Sequence, residues 1–379
     1  MTIASEWTER AAGESAPPVR LRTAHFPHDY GKDRASYLGL LWAALEREGV
    51  TVVPAARLTP RWVARQARVN VVHLHWLEFV VQSDPRPVAG LVRTLARAGR
   101  LIAALTQLRR RGVAIVWTVH NLGPHEPVRP RLESTLGAAV MRLCDIAIVH
   151  SDYARRRVTE RYRAEDKVVV VPHGNYIGAF PDDSRARKEI RRARALPEHA
   201  FVFLAFGQVR PYKRLGDLVS AFTALPGDDL RLVVAGQPTS GIEADRLEAA
   251  AGEDARVSLD FRRIPDDEIT ALHRAADAVV LAYEEVFSSG ALLLALSYGL
   301  PVVAPGHGTA AEMVAPPGIE PFAPGGLTSA LDRMRQGDRA ARTRAAFEAA
   351  ERCSWDQVGR ATAAVYGHAC AQVSQRQTA

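Results

Sequence analysis

Two stretches in the second half of the chain carry the residue types of an anion site. Between Phe206 and Phe222 an apolar run ends in Gly207 and Gln208, a turn carries Arg210 and Lys213, and a helical pattern begins at Leu215. Such a turn aims backbone N–H groups and two cations at one point, which suits a diphosphate. An ordinary strand–helix turn with surface cations fits the same residues. From Tyr283 to Ala291, Glu284 and Glu285 sit in a loop, and Ser288, Ser289 and Gly290 open an apolar helix. Either serine can cap that helix, and its amino end can receive an anion. Carboxylates beside an anion repel it, so they must address another group, such as ribose hydroxyls.

In the first half the chemistry is histidine-based. His120 ends the apolar run Val113–His120. A neutral imidazole there can hydrogen-bond a hydroxyl or help it lose its proton. His120, His125 and Glu126 together also allow a metal reading, but their spacing matches no zinc signature. His73 and His75 alternate on one strand and share a face, so a buried core histidine accounts for one of them. His28, Asp29 and Gly31 follow the first run. His28 and Asp29 could meet a hydroxyl, whereas the lone Gly31 makes a poor phosphate cradle.

These residues need elements to hold them. Short apolar runs alternate with longer helical patterns, which predicts parallel sheets built from βαβ units. The first half offers strands at Val19–Phe26, Thr51–Pro54, Val69–His75, Val113–His120, Ile146–Ser151 and Val168–Pro172. The second offers Phe201–Gly207, Leu230–Gly236, Val257–Leu259, Ala278–Ala282 and Pro301–Pro305. A polar, charged segment from Asn175 to His199 is the expected connection, with Arg185–Arg194 able to form a helix. Ligands of such sheets bind beyond the carboxyl ends of the strands.

Length and composition fit this architecture. The 379 residues suit two α/β domains, and 47% hydrophobic with 24% charged residues is ordinary globular composition. The amino-terminal residues are polar, which predicts an unordered leader over 1–18 and a cytoplasmic protein. Cys144, Cys353 and Cys370 have neither metal nor redox spacing. The net charge of +7 is spread in short arginine groups, with no signature of nucleic-acid binding. The Leu91–Leu108 stretch with Arg93, Arg97 and Arg100 reads either as a surface helix or as a peripheral membrane contact.

Taken together, the two donor-like stretches resemble those of retaining GT-B glycosyltransferases, the group 1 and family 4-like enzymes that include bacterial mannosyl- and glucosyltransferases of cell-surface glycans. Further pieces stand in the family's order. They are Val149-His150-Ser151, Val171 to Asn175, Leu232 to Gly236, Pro265 to Glu268 with Ala275 to Asp277, and Ser354 to Asp356.

The resemblance implies an α/β fold of two Rossmann-like domains facing across a cleft. Residues 19–180 would bind the acceptor and 181–354 the nucleotide-sugar, and a helix from 355–379 would cross back to the first domain. It implies that Lys213, with Arg210, contacts the donor diphosphate and that Ser289 and Gly290 offer N–H groups to the distal phosphate. Gly207, Gln208, Ile264, Glu284, Glu285 and Ser288 would complete the donor site. His120 would stand beside the reacting sugar, with His28, Asp29, Gly31, His75 and His125 towards the acceptor.

The expected reaction is retaining transfer without metal or cofactor. Arg210, Lys213 and the helix at Ser289 would stabilise the leaving diphosphate, and domain closure would exclude water. The acceptor is expected to be a saccharide or lipid-linked glycan. A small natural product is the alternative, as are a non-catalytic nucleotide-sugar binder and an epimerase of similar architecture. Three positions depart from the family. Gln208 replaces an arginine, a charge that Arg210 would take over. The family's paired glutamates align with Val286 and Leu294, so the ribose carboxylate is missing and Glu284 or Glu285 would replace the other.

Overall fold

The computed structural model describes residues 20–27, 35–53, 58–65, 69–81, 87–123 and 128–378. The expected leader at 1–18, and His28, Asp29, Gly31, His125 and Glu126, lie outside the described residues. Two compact units divide the chain, one of residues 1–174 with 355–379 and the other of 175–354.

The first unit runs β1 (Arg22–Phe26), α1 (Tyr37–Arg47), β2 (Thr51–Val53), α2 (Pro60–Arg65), β3 (Val71–Leu74), α3 (Glu78–Val81), α4 (Pro87–Arg110), β4 (Ala114–Thr118), α5 (Pro130–Leu143), β5 (Ile146–Val149), α6 (Asp152–Tyr162) and β6 (Val168–Val170). The strands pair in parallel in the order β2-β1-β3-β4-β5-β6. Every residue of β3, β4 and β5 is buried, which is why these segments are mostly apolar rather than alternating, with His73 and Thr118 the polar exceptions. Chain order reverses between β1 and β3, and a sheet of this kind opens its binding crevice at that reversal.

The second unit contributes α7 (Arg187–Ala193), β7 (Phe201–Phe206), a 3₁₀ turn (Pro211–Lys213), α8 (Leu215–Thr223), β8 (Leu230–Ala235), α9 (Gly241–Ala251), β9 (Val257–Asp260), α10 (Asp266–Ala275), β10 (Ala278–Val280), α11 (Gly290–Ser297), β11 (Val302–Pro305), α12 (Thr309–Met313), β12 (Ile319–Phe322), α13 (Leu327–Gln336) and α14 (Arg339–Glu351). Its parallel order is β12-β11-β10-β7-β8-β9, with the reversal between β7 and β10. The strand β12 was not among the expected runs, because Pro321 interrupts a short, half-buried segment at the sheet edge.

The last helix, α15 (Trp355–Thr378), packs in the first unit against α1. Gly359 makes this possible, since a Cβ there would stand 2.9 Å from the Ala44 carbonyl oxygen. Along the same helix Tyr366 reaches the core beneath the sheet's carboxyl edge, fully buried.

Each sheet is also pinned by one buried carboxylate. Asp145 accepts from the Ile115 N–H at 2.8 Å and pairs with Arg109 and Arg376. Asp277 accepts from the Val202 N–H at 2.8 Å and pairs with Arg187, Arg191 and Arg339. A charge this deep is tolerated because several cations and an N–H satisfy it.

Candidate active site

In the second unit the reversal between β7 and β10 gathers the donor-like residues. β7 is followed by Gly207, whose carbonyl lies so near Gly236 that a Cβ at 236 would stand 2.2 Å from it. The chain therefore turns out of the sheet without a side chain in the way. The 3₁₀ turn then brings Lys213 back over the strand end, where its Nζ donates to the Phe206 carbonyl at a long 3.5 Å. That ammonium is 7% exposed and stands 5.8 Å from the centre of the Tyr283 ring. Burial, helped by the neighbouring Arg210 guanidinium, lowers its pKa to about 8. Among the described residues no carboxylate forms a salt bridge with it.

Arg210 is half-buried, and its guanidinium donates to Gln208 Oε1 at 3.1 and 2.9 Å. Across the crevice, Ser289 caps α11 by accepting from the Leu292 N–H at 3.2 Å. The first-turn N–H groups of such a helix have no partner within it. The preceding loop is held by Thr309, whose N–H donates to the Val286 carbonyl at 2.8 Å and whose hydroxyl donates to that of Phe287. Ser288 and Gly290 are half-buried beside this cap.

Val286 and Leu294, which stand at the family's glutamate positions, are buried in the core of this unit, as is Ile264. A carboxylate in either place would lose its hydration to apolar neighbours. Glu284 is exposed and lines a neighbouring cavity with Arg214, Asp217 and His307, whereas Glu285 is half-buried.

The first unit's edge is built from histidines. Within three residues of the carboxyl ends of β1, β3, β4, β5 and β6 stand His25, His75, His120, His150 and His173, with His73 inside β3. All are buried. Tyr37, at the start of α1, meets His120, His150 and His173 with ring centroids 4.9, 5.5 and 4.8 Å away. Trp76 stacks on His120 at 4.3 Å.

Burial lowers the pKa of His120 well below the usual imidazole value, reinforced by His150, His173 and His73. The same cause brings His150 to about 3 and His173 to about 4. The His150 Nδ1–H donates to the Val171 carbonyl at 2.9 Å, and its Nε2 has no hydrogen-bond partner among the described residues. A cavity beside His120 is lined by Trp117, Asn121, Tyr162 and Glu78, whose carboxyl is pushed up by burial.

His75 does not present a free nitrogen to this cavity. Both of its ring nitrogens are engaged, one with His25 at 3.0 Å and the other with His120 at 3.2 Å. Ligand atoms of His25, His73 and His75 lie within 4.8 Å of one another, a distance compatible with a metal ion. In the structure these nitrogens are engaged in hydrogen bonds to one another, to Tyr366, to Thr118 and to His120. The structure also brings Tyr37, His25, His150, His173 and Tyr366 to this edge; His150 and His173 lie in motifs noted in the sequence, but none of the five was assigned a site role there. The signal was present as a histidine at the end of strand after strand.

Comparison with known proteins agrees with this fold. Residues 186–325 match the family described as Glycosyl transferases group 1, and residues 97–175 match Glycosyltransferase Family 4. Two GDP-mannose:glycolipid 4-beta-D-mannosyltransferases of Xanthomonas campestris pv. campestris are similar. They are 29% and 28% identical over 63% and 72% of this chain, and over 62% and 74% of their own. A D-inositol 3-phosphate glycosyltransferase of Salinispora tropica is 30% identical over 69% of this chain and 61% of its own. The chain thus spans 61–74% of the length of these curated relatives.

Among solved structures, sucrose-phosphate synthase of Thermosynechococcus elongatus superposes with a TM-score of 0.69 at 18% identity, covering 93% of this chain and 100% of that one. Anabaena HepE in complex with UDP gives 0.65 at 16% identity, covering 92% and 100%. These likenesses show the fold, two Rossmann-like domains.

Proposed function

Since the chain belongs to the GT-B glycosyltransferases of group 1, we propose that it transfers a sugar from a nucleoside-diphosphate sugar to an acceptor hydroxyl. The observation that carries this reading is Lys213, a buried ammonium over the end of β7 without a carboxylate partner among the described residues. Desolvating an unpaired cation is costly, and an incoming diphosphate would supply its missing counter-charge. Lys213, Arg210 and the first turn of α11 would hold that diphosphate and stabilise it as it leaves. The functional residues come with no metal or cofactor in this proposal.

A lipid-linked saccharide is the proposed acceptor. Two relatives carry glycolipid in their names. α4 also exposes Leu91, Val92 and Leu95 beside Arg93 and Arg100, which suits peripheral contact with the inner face of a membrane. Among the described residues no helix is long and apolar enough to cross one. A small polar acceptor is a second reading, favoured by the inositol 3-phosphate relatives.

Retention is the outcome that family resemblance implies. The β-linkage in the names of the mannosyltransferases favours inversion as the alternative, because a β-mannoside from an α-linked donor requires it. In that case His120 would assist the acceptor hydroxyl directly. The test is transfer from GDP-, UDP-, ADP- and dTDP-sugars to a prenyl-linked saccharide and to inositol phosphate, with the product's anomeric configuration read by NMR. Nucleoside-diphosphate release that needs an acceptor supports the reading. Binding without release from any donor would replace it with a non-catalytic one.

A further inference from the structure

The histidines of the first unit are joined by hydrogen bonds into one chain. Thr118 Oγ1 contacts His73 Nε2 at 2.7 Å, and His73 Nδ1 contacts the Tyr366 hydroxyl at 2.6 Å. Tyr366 in turn contacts His25 Nε2 at 3.4 Å. His25 Nδ1 meets His75 Nε2 at 3.0 Å, and His75 Nδ1 meets His120 Nε2 at 3.2 Å. His120 is the last ring of the chain and faces the cavity.

A neutral imidazole carries one N–H and one lone pair, so in a neutral chain the direction of one bond fixes all the others. Tyr366 has a single proton to give. Of two contacts made by one hydroxyl, its single proton lies along the shorter and stronger. The 2.6 Å contact is therefore the hydroxyl donating to His73, and the 3.4 Å contact is His25 Nε2–H donating to the tyrosine oxygen. His25 Nδ1 must then accept from His75 Nε2–H, and His75 Nδ1 from His120 Nε2–H. At the far end His73 Nε2–H donates to Thr118.

We infer that Tyr366, His25 and His75 are positioning residues that hold His120 with Nε2 protonated and Nδ1 bare, so that the ring meets a substrate hydroxyl as a hydrogen-bond acceptor. Without the chain, either nitrogen of an isolated imidazole can carry the proton, and the ring would present a donor for part of the time. The rings packed on His120 add no charge that would override this direction. His75 and Trp76 face it from the end of β3, Tyr37 from α1, and His150 from the end of β5. Glu78, on α3, lines the same cavity as a half-buried carboxyl.

This inference rests on the reading of His120 as the group beside the reacting centre, and the two can fail separately. The experiment is long-range proton–nitrogen NMR of the imidazoles in the nitrogen-15-labelled full chain, with His120 assigned by its loss in His120→Gln. The expected spectrum shows His120 with a protonated Nε2 and an unprotonated Nδ1. A protonated Nδ1 in the wild type would overturn the inference without any variant. In Tyr366→Phe the tautomers of His25, His75 and His120 should mix, and turnover should fall at least about tenfold with donor KM unchanged, the order of loss seen when a functional histidine loses its orienting partner.

Should that variant not fold, Thr118→Val removes the acceptor that holds His73 Nε2–H. It should reverse the chain in part, moving the His120 proton towards Nδ1. An unchanged His120 tautomer in a folded variant, or unchanged turnover with mixed tautomers, would overturn the positioning role. Full activity of His120→Ala with the expected wild-type tautomer would instead remove the reading of His120 and leave the chain as described.

Discussion

The carboxyl edges of the two sheets solve opposite electrostatic problems on similar scaffolds. Both sheets are parallel, both are locked by one buried aspartate that accepts from a neighbouring strand, and both open where the strand order reverses. The edge of the second carries a buried ammonium and a capped helix N-terminus, the groups proposed to hold the diphosphate. At the edge of the first, five strand ends supply buried imidazoles, and burial holds those of His75, His120, His150 and His173 below the usual pKa. A diphosphate needs charge to meet charge, whereas a sugar or acceptor hydroxyl needs acceptors whose protons are already placed. The sheet positions each set alike, and the loop residues decide which chemistry results.

The sharpest way to break this contrast is acid. A histidine with a lowered folded pKa leaves stability intact above the unfolded value of 6.5, and stability is lost as pH falls from there towards the folded value. His150 and His173, at about 3 and 4, would together remove about 4 kcal/mol at pH 5. His73, His75 and His120 act in the same direction. The second unit has a comparable ring in His273, at about 4. Hydrogen exchange at pH 5 should therefore open the first unit before the second. Simultaneous opening would mean that the buried rings are not neutral in the fold.

Lys213→Met tests the other edge. It removes a cation whose burial lowers its pKa from 10.5 to about 8, so the variant should gain up to about 3 kcal/mol at pH 7 in denaturant unfolding. It should also lose roughly 10- to 100-fold in diphosphate affinity, the worth of a charged hydrogen bond. The wild type should itself grow more stable between pH 8 and 10.5, because the unfolded state keeps the proton longer. Stability lost rather than gained on substitution would mean that Lys213 already has a counter-charge.

Arg210→Ala should weaken the diphosphate by a smaller factor, roughly threefold to tenfold, since its guanidinium is half-exposed and screened. Ser289→Ala removes the cap of α11 and should cost about 1 kcal/mol in unfolding, with a modest loss of donor affinity. If Ser289→Ala weakened the donor more than Lys213→Met, the helix terminus rather than the ammonium would dominate the site.

Much of this arrangement could be read from the sequence, and the limits have physical causes. The strand runs were legible because parallel strands buried on both faces are mostly apolar along their length, as β3, β4 and β5 are apart from His73 and Thr118. β12 escaped because an edge strand containing a proline lacks that pattern. The places of Gly207, Lys213 and Ser289 at a strand end, a turn and a helix cap were legible because turn and cap chemistry is local in sequence. The histidine chain was not, since Tyr366 lies 293 residues from His73 and only packing of α15 brings them together. Spacing alone assigned one histidine of the β3 pair to the core, whereas both are buried and hydrogen-bonded.

The central claim is that the second unit's edge holds a charged lysine for a diphosphate. Calorimetric titration of GDP and UDP into the wild type and Lys213→Met, at pH 7 and pH 9, tests it most directly. The expected result is binding to the wild type at pH 7 that weakens at pH 9, as the ammonium passes through about 8, and weak, pH-independent binding to the variant. Equal affinity of both proteins at both pH values would contradict the claim.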